Sequence, residues 1–181
     1  FIKEKNSLNK NVIKLKSGNA FLIGDGYTKN GQFPFIDKIN INNFKKNRIF
    51  ESDYTDKFES IIDFNPSNNE LFVRIESAVN FPNYFIKKIN TNKLTQYTYF
   101  KNPFDPIRDA HKEVIKYKRN DGLELSGVLY LPVDYDKKSK EKLPMILWAY
   151  PREFKDKSSA GQSTKNENKF TYPYYGSMVY W

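Results

Sequence analysis

The chain alternates apolar and polar positions in short runs, and the runs repeat. In the segment 71–76, Leu71, Val73 and Ile75 fall on one face while Phe72, Arg74 and Glu76 fall on the other, the two-residue period of a strand with two different faces. Phe35-Ile36-Asp37-Lys38-Ile39-Asn40-Ile41-Asn42 is matched fifty positions later by Phe85-Ile86-Lys87-Lys88-Ile89-Asn90-Thr91-Asn92, and the same offset carries Phe44 onto Leu94 and Phe50 onto Phe100. The pattern predicts strands over 11–16, 19–23, 35–41 and 48–51 in a first unit. It predicts 59–64, 70–77, 84–90 and 94–100 in a second. Turn chemistry separates them, as in Asn65-Pro66-Ser67-Asn68-Asn69 and Asn90-Thr91-Asn92-Lys93. A forty-to-fifty-residue period of short strands is the signature of β-propeller blades, so the expectation for 1–106 is two blades of a partial propeller. Two unrelated meanders in a sandwich are the alternative.

The pattern changes after 101–111. Asn102-Pro103-Phe104-Asp105-Pro106 interrupts regular structure, because each proline fixes φ and lacks a donor. Runs over 113–119 and 123–131 flank Asn120-Asp121-Gly122, a hairpin signal. A charged loop over 136–142 leads into the nearly continuous apolar run Leu143-Pro144-Met145-Ile146-Leu147-Trp148-Ala149-Tyr150. Such a run predicts a strand buried on both faces, as in a helix-covered sheet. The expectation is a change from antiparallel β to α/β architecture near residue 110, with domains at 1–106 and 107–181. Phe1 at one end and Met178-Val179-Tyr180-Trp181 at the other read as cuts through structure, so a piece of a longer protein is expected.

Composition narrows the classes. With 39% hydrophobic and 17% aromatic residues in 181, wholesale disorder is excluded. No apolar stretch approaches the roughly 18 residues of a membrane helix. Cysteine is absent, which removes disulfides, thiolate metal sites and a Cys nucleophile from these residues. The net charge of +9 invites nucleic acid as a partner. Yet only five of the thirty cations are Arg (48, 74, 108, 119 and 152), the lysines are scattered, and Asn is abundant. A solvated Lys/Asn-rich surface accounts for this, so neither nucleic acid nor a membrane is expected as a partner.

No catalytic constellation is visible. The single histidine, His111, stands at the linker and reads as a surface or packing residue. Ser126, Ser163 and Ser177 lack the glycines of a nucleophile elbow. Gly24-Asp25-Gly26 lacks the following helix and Lys of a phosphate loop. No metal cluster and no cofactor are expected.

The stretch from Lys116-Tyr117-Lys118-Arg119-Asn120-Asp121-Gly122 through Leu129-Tyr130-Leu131-Pro132 resembles the hairpin opening the catalytic domain of prolyl oligopeptidase-family serine peptidases. The run from Leu143 to Tyr150, continued by Pro151-Arg152-Glu153-Phe154-Lys155 and Ala160-Gly161-Gln162, is similar to the glutamyl endopeptidase branch. The resemblance covers roughly 20–181, weakly in the repeat and strongly over 112–162. It implies a β-propeller followed by an α/β-hydrolase domain, and a peptide substrate cut through a Ser-His-Asp triad lying beyond Trp181. It also implies that Tyr150 donates its hydroxyl to the oxyanion. Arg152 stands where the wider family has small residues, and could pair with an acidic substrate side chain or with Glu153 or Asp156. Gly161 and Gln162 match the branch motif without a derivable role. Alternatives are an esterase on the same fold and a basic module for polyanions.

Overall fold

The computed structural model of the chain describes residues 1–28, 30–139, 141–149, 166–173 and 176–180. Its strands are β1 (Lys3–Lys5), β2 (Asn11–Ile13), β3 (Asn19–Gly24), β4 (Tyr27–Thr28), β5 (Gly31–Gln32), β6 (Phe35–Asn40), β7 (Lys46–Glu51), β8 (Phe58–Asn65), β9 (Glu70–Glu76), β10 (Asn83–Lys88), β11 (Lys93–Gln96), β12 (His111–Lys118) and β13 (Glu124–Leu131). Single 3-10 turns occur at Asp105–Ile107 and Met178–Tyr180. Every sheet is antiparallel: β1-β2, β3-β6-β7, β4-β5, the meander β8-β9-β10-β11, and the hairpin β12-β13.

The core lies where the three-stranded and four-stranded sheets face each other. Leu71, Val73 and Ile75 of β9 are buried, as their alternation predicts, and they join Ile2, Phe21, Ile36 and Phe64. The Phe21 and Phe64 rings meet edge to face with centroids 5.3 Å apart. Each such side chain contributes about 1.5–3 kcal/mol on burial.

Asparagine, read above as surface composition, builds the turns between these strands. Asn40 Oδ1 accepts the Asn42 and Asn43 N–H groups at 2.9 and 3.2 Å. Asn65 Oδ1 accepts Ser67 N–H at 3.0 Å, and Asn69 and Asn92 take the left-handed conformation with φ of 54° and 51°. Asn is enriched at both jobs because its short amide bonds its own backbone and tolerates positive φ. In the last hairpin, Asp121 and Gly122 (φ 82°) make the turn, with Asp121 Oδ1 accepting Leu123 N–H at 3.1 Å.

The expected architecture of propeller blades followed by the start of an α/β-hydrolase domain is not what forms. The described residues make small antiparallel sheets, with no closed propeller and no α-helix. The first unit is not a four-stranded blade. Of the strand expected over 11–16, Asn11–Ile13 pairs with Lys3–Lys5 in a separate two-stranded sheet, and a single bridge from Lys16 to Asn19 reaches β3. The second unit does form four strands, but β11 stops at Gln96. Beyond it, Asn83 Oδ1 takes the bonds of Thr98 Oγ1 (2.9 Å) and Phe100 N–H (2.7 Å). The repeat also slips at its turns, since Phe44 sits exposed in a turn at φ 57° whereas Leu94 lies in β11.

The run expected to be a buried strand is irregular over 143–149, with Met145, Leu147 and Trp148 76%, 81% and 65% exposed. A strand buried on both faces needs hydrogen-bonded neighbours and covering layers. The described residues supply neither to this run.

Candidate functional site

Tyr150 and Arg152, the two residues singled out by resemblance, lie outside the described residues, as do Gly161, Gln162 and Ser163. His111, at the start of β12, places Nε2 2.8 Å from Glu113 Oε2, and Lys137 Nζ donates to the same oxygen at 2.8 Å. The hydrogen bond from Lys137, then that from His111, holds the Glu113 carboxyl below the usual carboxylate range. This is a surface ion-pair cluster that ties the loop after β13 to β12. Ser126 sits on β13 opposite Lys116. Ser177 is buried ahead of the last 3-10 turn, where its Oγ accepts the Val179 N–H at 3.4 Å. Gly24-Asp25-Gly26 leads into the β4-β5 hairpin rather than into a helix. Among the described residues no cluster of His, Cys, Asp and Glu is placed to hold a metal.

A cleft of about 360 Å³ lies where four segments meet: the β4-β5 hairpin, Tyr54-Thr55, β12 through Val114 and Lys116, and Asn166-Glu167-Asn168. Each wall has a local cause. Thr28 Oγ1 donates to Gly31 C=O at 2.9 Å and accepts Asn30 N–H at 3.1 Å, which closes the hairpin loop. Gly26 (φ 66°) allows the approach to this hairpin: a Cβ there would lie 1.7 Å from the Phe33 carbonyl oxygen. Tyr54 is half-buried. Burial first, and then the charges of Glu59, Asp53 and Asp56, push its phenol up.

The far wall is a strap running from Asn166 to Tyr172. Asn168 Nδ2 donates to Thr55 C=O at 2.8 Å, and Asn166 Oδ1 accepts the Asn168 N–H at 2.9 Å. Lys112 Nζ donates to Lys169 C=O at 2.6 Å. Phe170 N–H donates to the buried Glu76 Oε2 at 2.8 Å. The Phe170 ring, 6% exposed, packs edge-on to Phe81 and Tyr172 at 5.2 and 5.3 Å. Glu76 is also paired with Arg74, at 2.8 Å.

Beneath Tyr54 lies a second buried charge. Lys87 Nζ stands 3.2 Å from Glu59 Oε1 and between the Phe50 and Tyr54 rings, at 4.9 and 5.2 Å from their centroids. Sequence reasoning missed Glu59, Glu76, Lys87 and the strap. A signal for Lys87 does exist: it falls opposite Asp37 in the fifty-residue repeat, within a buried strand phase. The strap has no local signal, because its partners lie far away along the chain.

No protein-family model matches the chain. It is 34% identical over 173 residues, 88% of its length, to a protein named "Probable glutamyl endopeptidase, chloroplastic" from Arabidopsis thaliana. It is 31% identical over 169 residues, 87% of its length, to the protein of the same name from Oryza sativa subsp. japonica. The chain spans 18% of the length of each of these relatives. Among solved structures, an AtxE2 isopeptidase variant with Astexin3-dC4 bound superposes at a TM-score of 0.41 and 14% identity, over 68% of this chain and 18% of that one. The two sequence relatives support a peptidase-related family. Both carry the name glutamyl endopeptidase, the branch that the residues around 143–162 resemble.

Proposed function

We propose that the protein is a serine-type peptidase that cuts peptide bonds through an acyl-enzyme and favours acidic side chains. The observation that carries this reading is the 34% identity to a probable glutamyl endopeptidase across 88% of the chain. In this reading the nucleophilic Ser, its Asp and its His lie outside these 181 residues, and the chain by itself is inactive. Tyr150 contributes a phenol O–H to the oxyanion, where a preorganised donor stabilises the charge that develops on the carbonyl oxygen. Arg152 meets an acidic substrate side chain, for which a guanidinium is geometrically suited. Residues 1–106 and 107–181 act as two units, and the cleft between Tyr54 and β12 lies where they meet.

The test is to label the intact protein with a fluorophosphonate and locate the adduct by mass spectrometry, alongside hydrolysis of matched peptides containing Glu or Gln. A single serine adduct, with faster cutting of the Glu peptide, supports the proposal. Active protein without a serine adduct overturns the serine mechanism, and equal cutting of the two peptides overturns the acidic preference.

A further inference from the structure

We propose that Asn30 is a site of covalent modification by water: the main-chain nitrogen of Gly31 attacks the Asn30 carboxamide, ammonia leaves, and hydrolysis of the resulting cyclic imide sets a carboxylate on the cleft wall. Asn30-Gly31 leads from the loop after β4 into β5. The hairpin requires the glycine. Gly31 has φ of 143°, which L side chains rarely adopt, and a Cβ there would come within 3.2 Å of the Phe33 ring. The missing side chain that satisfies this turn also leaves the Gly31 nitrogen unhindered as a nucleophile. That nitrogen belongs to the pair Thr28-Gly31, one of only two residue pairs in the β4-β5 ladder. A two-stranded hairpin of this kind is marginal by itself in water, so its end pair opens locally at little cost.

The structure sets Asn30 apart from the other asparagines. Three of them precede a residue no larger than serine: Asn6 before Ser7, Asn19 before Ala20 and Asn30 before Gly31. Asn6 Oδ1 accepts the Leu8 and Lys10 N–H groups at 3.0 Å each, and Asn19 Nδ2 donates to Ser17 C=O at 2.7 Å. Those bonds hold the two carboxamides away from the nitrogen that follows them. Asn30 is exposed, and its carboxamide has no hydrogen-bond partner among the described residues. Its main-chain N–H is held instead, by Thr28 Oγ1 at 3.1 Å. The step needs no oxidant or reductant. The Gly31 nitrogen loses its proton to water and bonds to Cγ, while the Cγ–Nδ2 bond breaks and Nδ2 takes up a proton to depart as ammonia. Water then adds to one of the two imide carbonyls. Breaking the new N–Cγ bond leaves an aspartyl residue at position 30. Breaking the original peptide bond leaves an isoaspartyl one, whose main chain runs through Cβ and Cγ. Both products add a carboxylate to a cleft that Lys116 and Glu167 also line. The isoaspartyl form also lengthens the loop by one main-chain carbon and so disturbs the Thr28 Oγ1 bonds that close it. The inference goes beyond the peptidase reading and does not depend on it.

The test incubates the intact, folded protein in heavy-oxygen water at mildly alkaline pH and samples it over time. Each sample is cleaved with pepsin in acid, which halts further imide formation. Mass spectrometry then locates every asparagine whose NH2 has been replaced by labelled OH, and methylation by an isoaspartyl methyltransferase measures the isoaspartyl share. Position 30 should take up label about tenfold faster than Asn6 or Asn19, a difference of about 1.4 kcal/mol in barrier. Asn30→Gln lengthens the side chain by one methylene and should leave position 30 unlabelled over the same period. Labelling at position 30 no faster than at Asn6 and Asn19, or no methyl acceptance at that position, overturns the proposal. A parallel sample unfolded in urea tests the fold's part directly. Labelling of Asn30 that is about tenfold slower in the folded protein than in urea also overturns the proposal, because the Thr28 pairing would then hold the Gly31 nitrogen out of reach. These comparisons use the unaltered chain and stand even if the variant misfolds.

Discussion

Replacing Lys87 with methionine would remove a cation and keep most of its apolar length. The Lys87 Nζ sits 3.2 and 3.3 Å from the two oxygens of Glu59, with side-chain exposures of 6% and 0%. At that separation the gross attraction is about 5 kcal/mol for an effective dielectric of about 20, most of it offset by the cost of taking both charges out of water. Deleting one partner removes the attraction but leaves the other group's desolvation in place. Lys87→Met is therefore expected to destabilise the fold by about 3–5 kcal/mol, with the lost contacts to the Phe50 and Tyr54 rings included in that figure. For a chain of this size that corresponds to a fall in Tm of about 6–20 °C. The double substitution Lys87→Met with Glu59→Leu removes both charges and is expected to return most of the loss, since well-packed apolar replacements of buried pairs are often neutral or stabilising. Urea unfolding of the four proteins, followed by circular dichroism, closes the double-mutant cycle. A single-variant loss under about 1 kcal/mol, or a double variant that loses the sum of both singles, would refute the argument that the pair is buried and coupled.

Three other outcomes are expected. Gly26→Ala should destabilise more than Gly18→Ala in thermal unfolding: both take a positive φ, but a Cβ at Gly26 meets the Phe33 carbonyl while one at Gly18 meets nothing within 4 Å. The left-handed conformation alone costs about 1–2 kcal/mol, so equal losses would show that the close approach at Gly26 relaxes freely. Asp121, bonded first by Arg119 and then by the Leu123 N–H, should titrate with a midpoint of about 2 by carbon-13 NMR. Because its folded-state pKa lies below that of the unfolded chain, its stabilisation is complete above about pH 4 and is lost as pH falls towards 2. Arg119→Ala should move the midpoint up towards the ordinary Asp value, and an unmoved midpoint would count against Arg119 as the main cause. If Tyr150 serves the oxyanion as proposed, Tyr150→Phe in the intact protein should lower turnover by about 10²–10³ with the fold unchanged, and unaltered turnover would remove that role.

The strands were legible because their signal is local. The alternation around β9 and the Asn-rich turns each state a requirement that neighbouring residues meet, and β8 to β11 form where those signals fall. The run over 143–149 shows the limit of such reading. Its apolar character states what the segment would need, namely strands beside it and layers above and below, while whether these are supplied depends on other residues. The same holds for the cleft: Asn168 bonds Thr55 across 113 positions of chain, and Phe170 bonds Glu76 across 94. Tyr150 and Arg152 came from resemblance rather than from any pattern that the described residues carry.

The fifty-residue repeat is the place where local and distant constraints meet. It sets Asp37 opposite Lys87, and both are buried, although their charges are opposite. What the repeat preserves is therefore a position in a strand, and the sign of the charge is left to the partner within each sheet. Asp37 Oδ1 accepts from Arg48 Nε of β7 at 2.5 Å, and Lys87 of β10 pairs with Glu59 of β8. Compensation within the sheet removes any need for the two units to carry the same residue. A shared strand position constrains the sheet it belongs to, whereas the way successive sheets meet is a relation that no residue of the repeat encodes by itself.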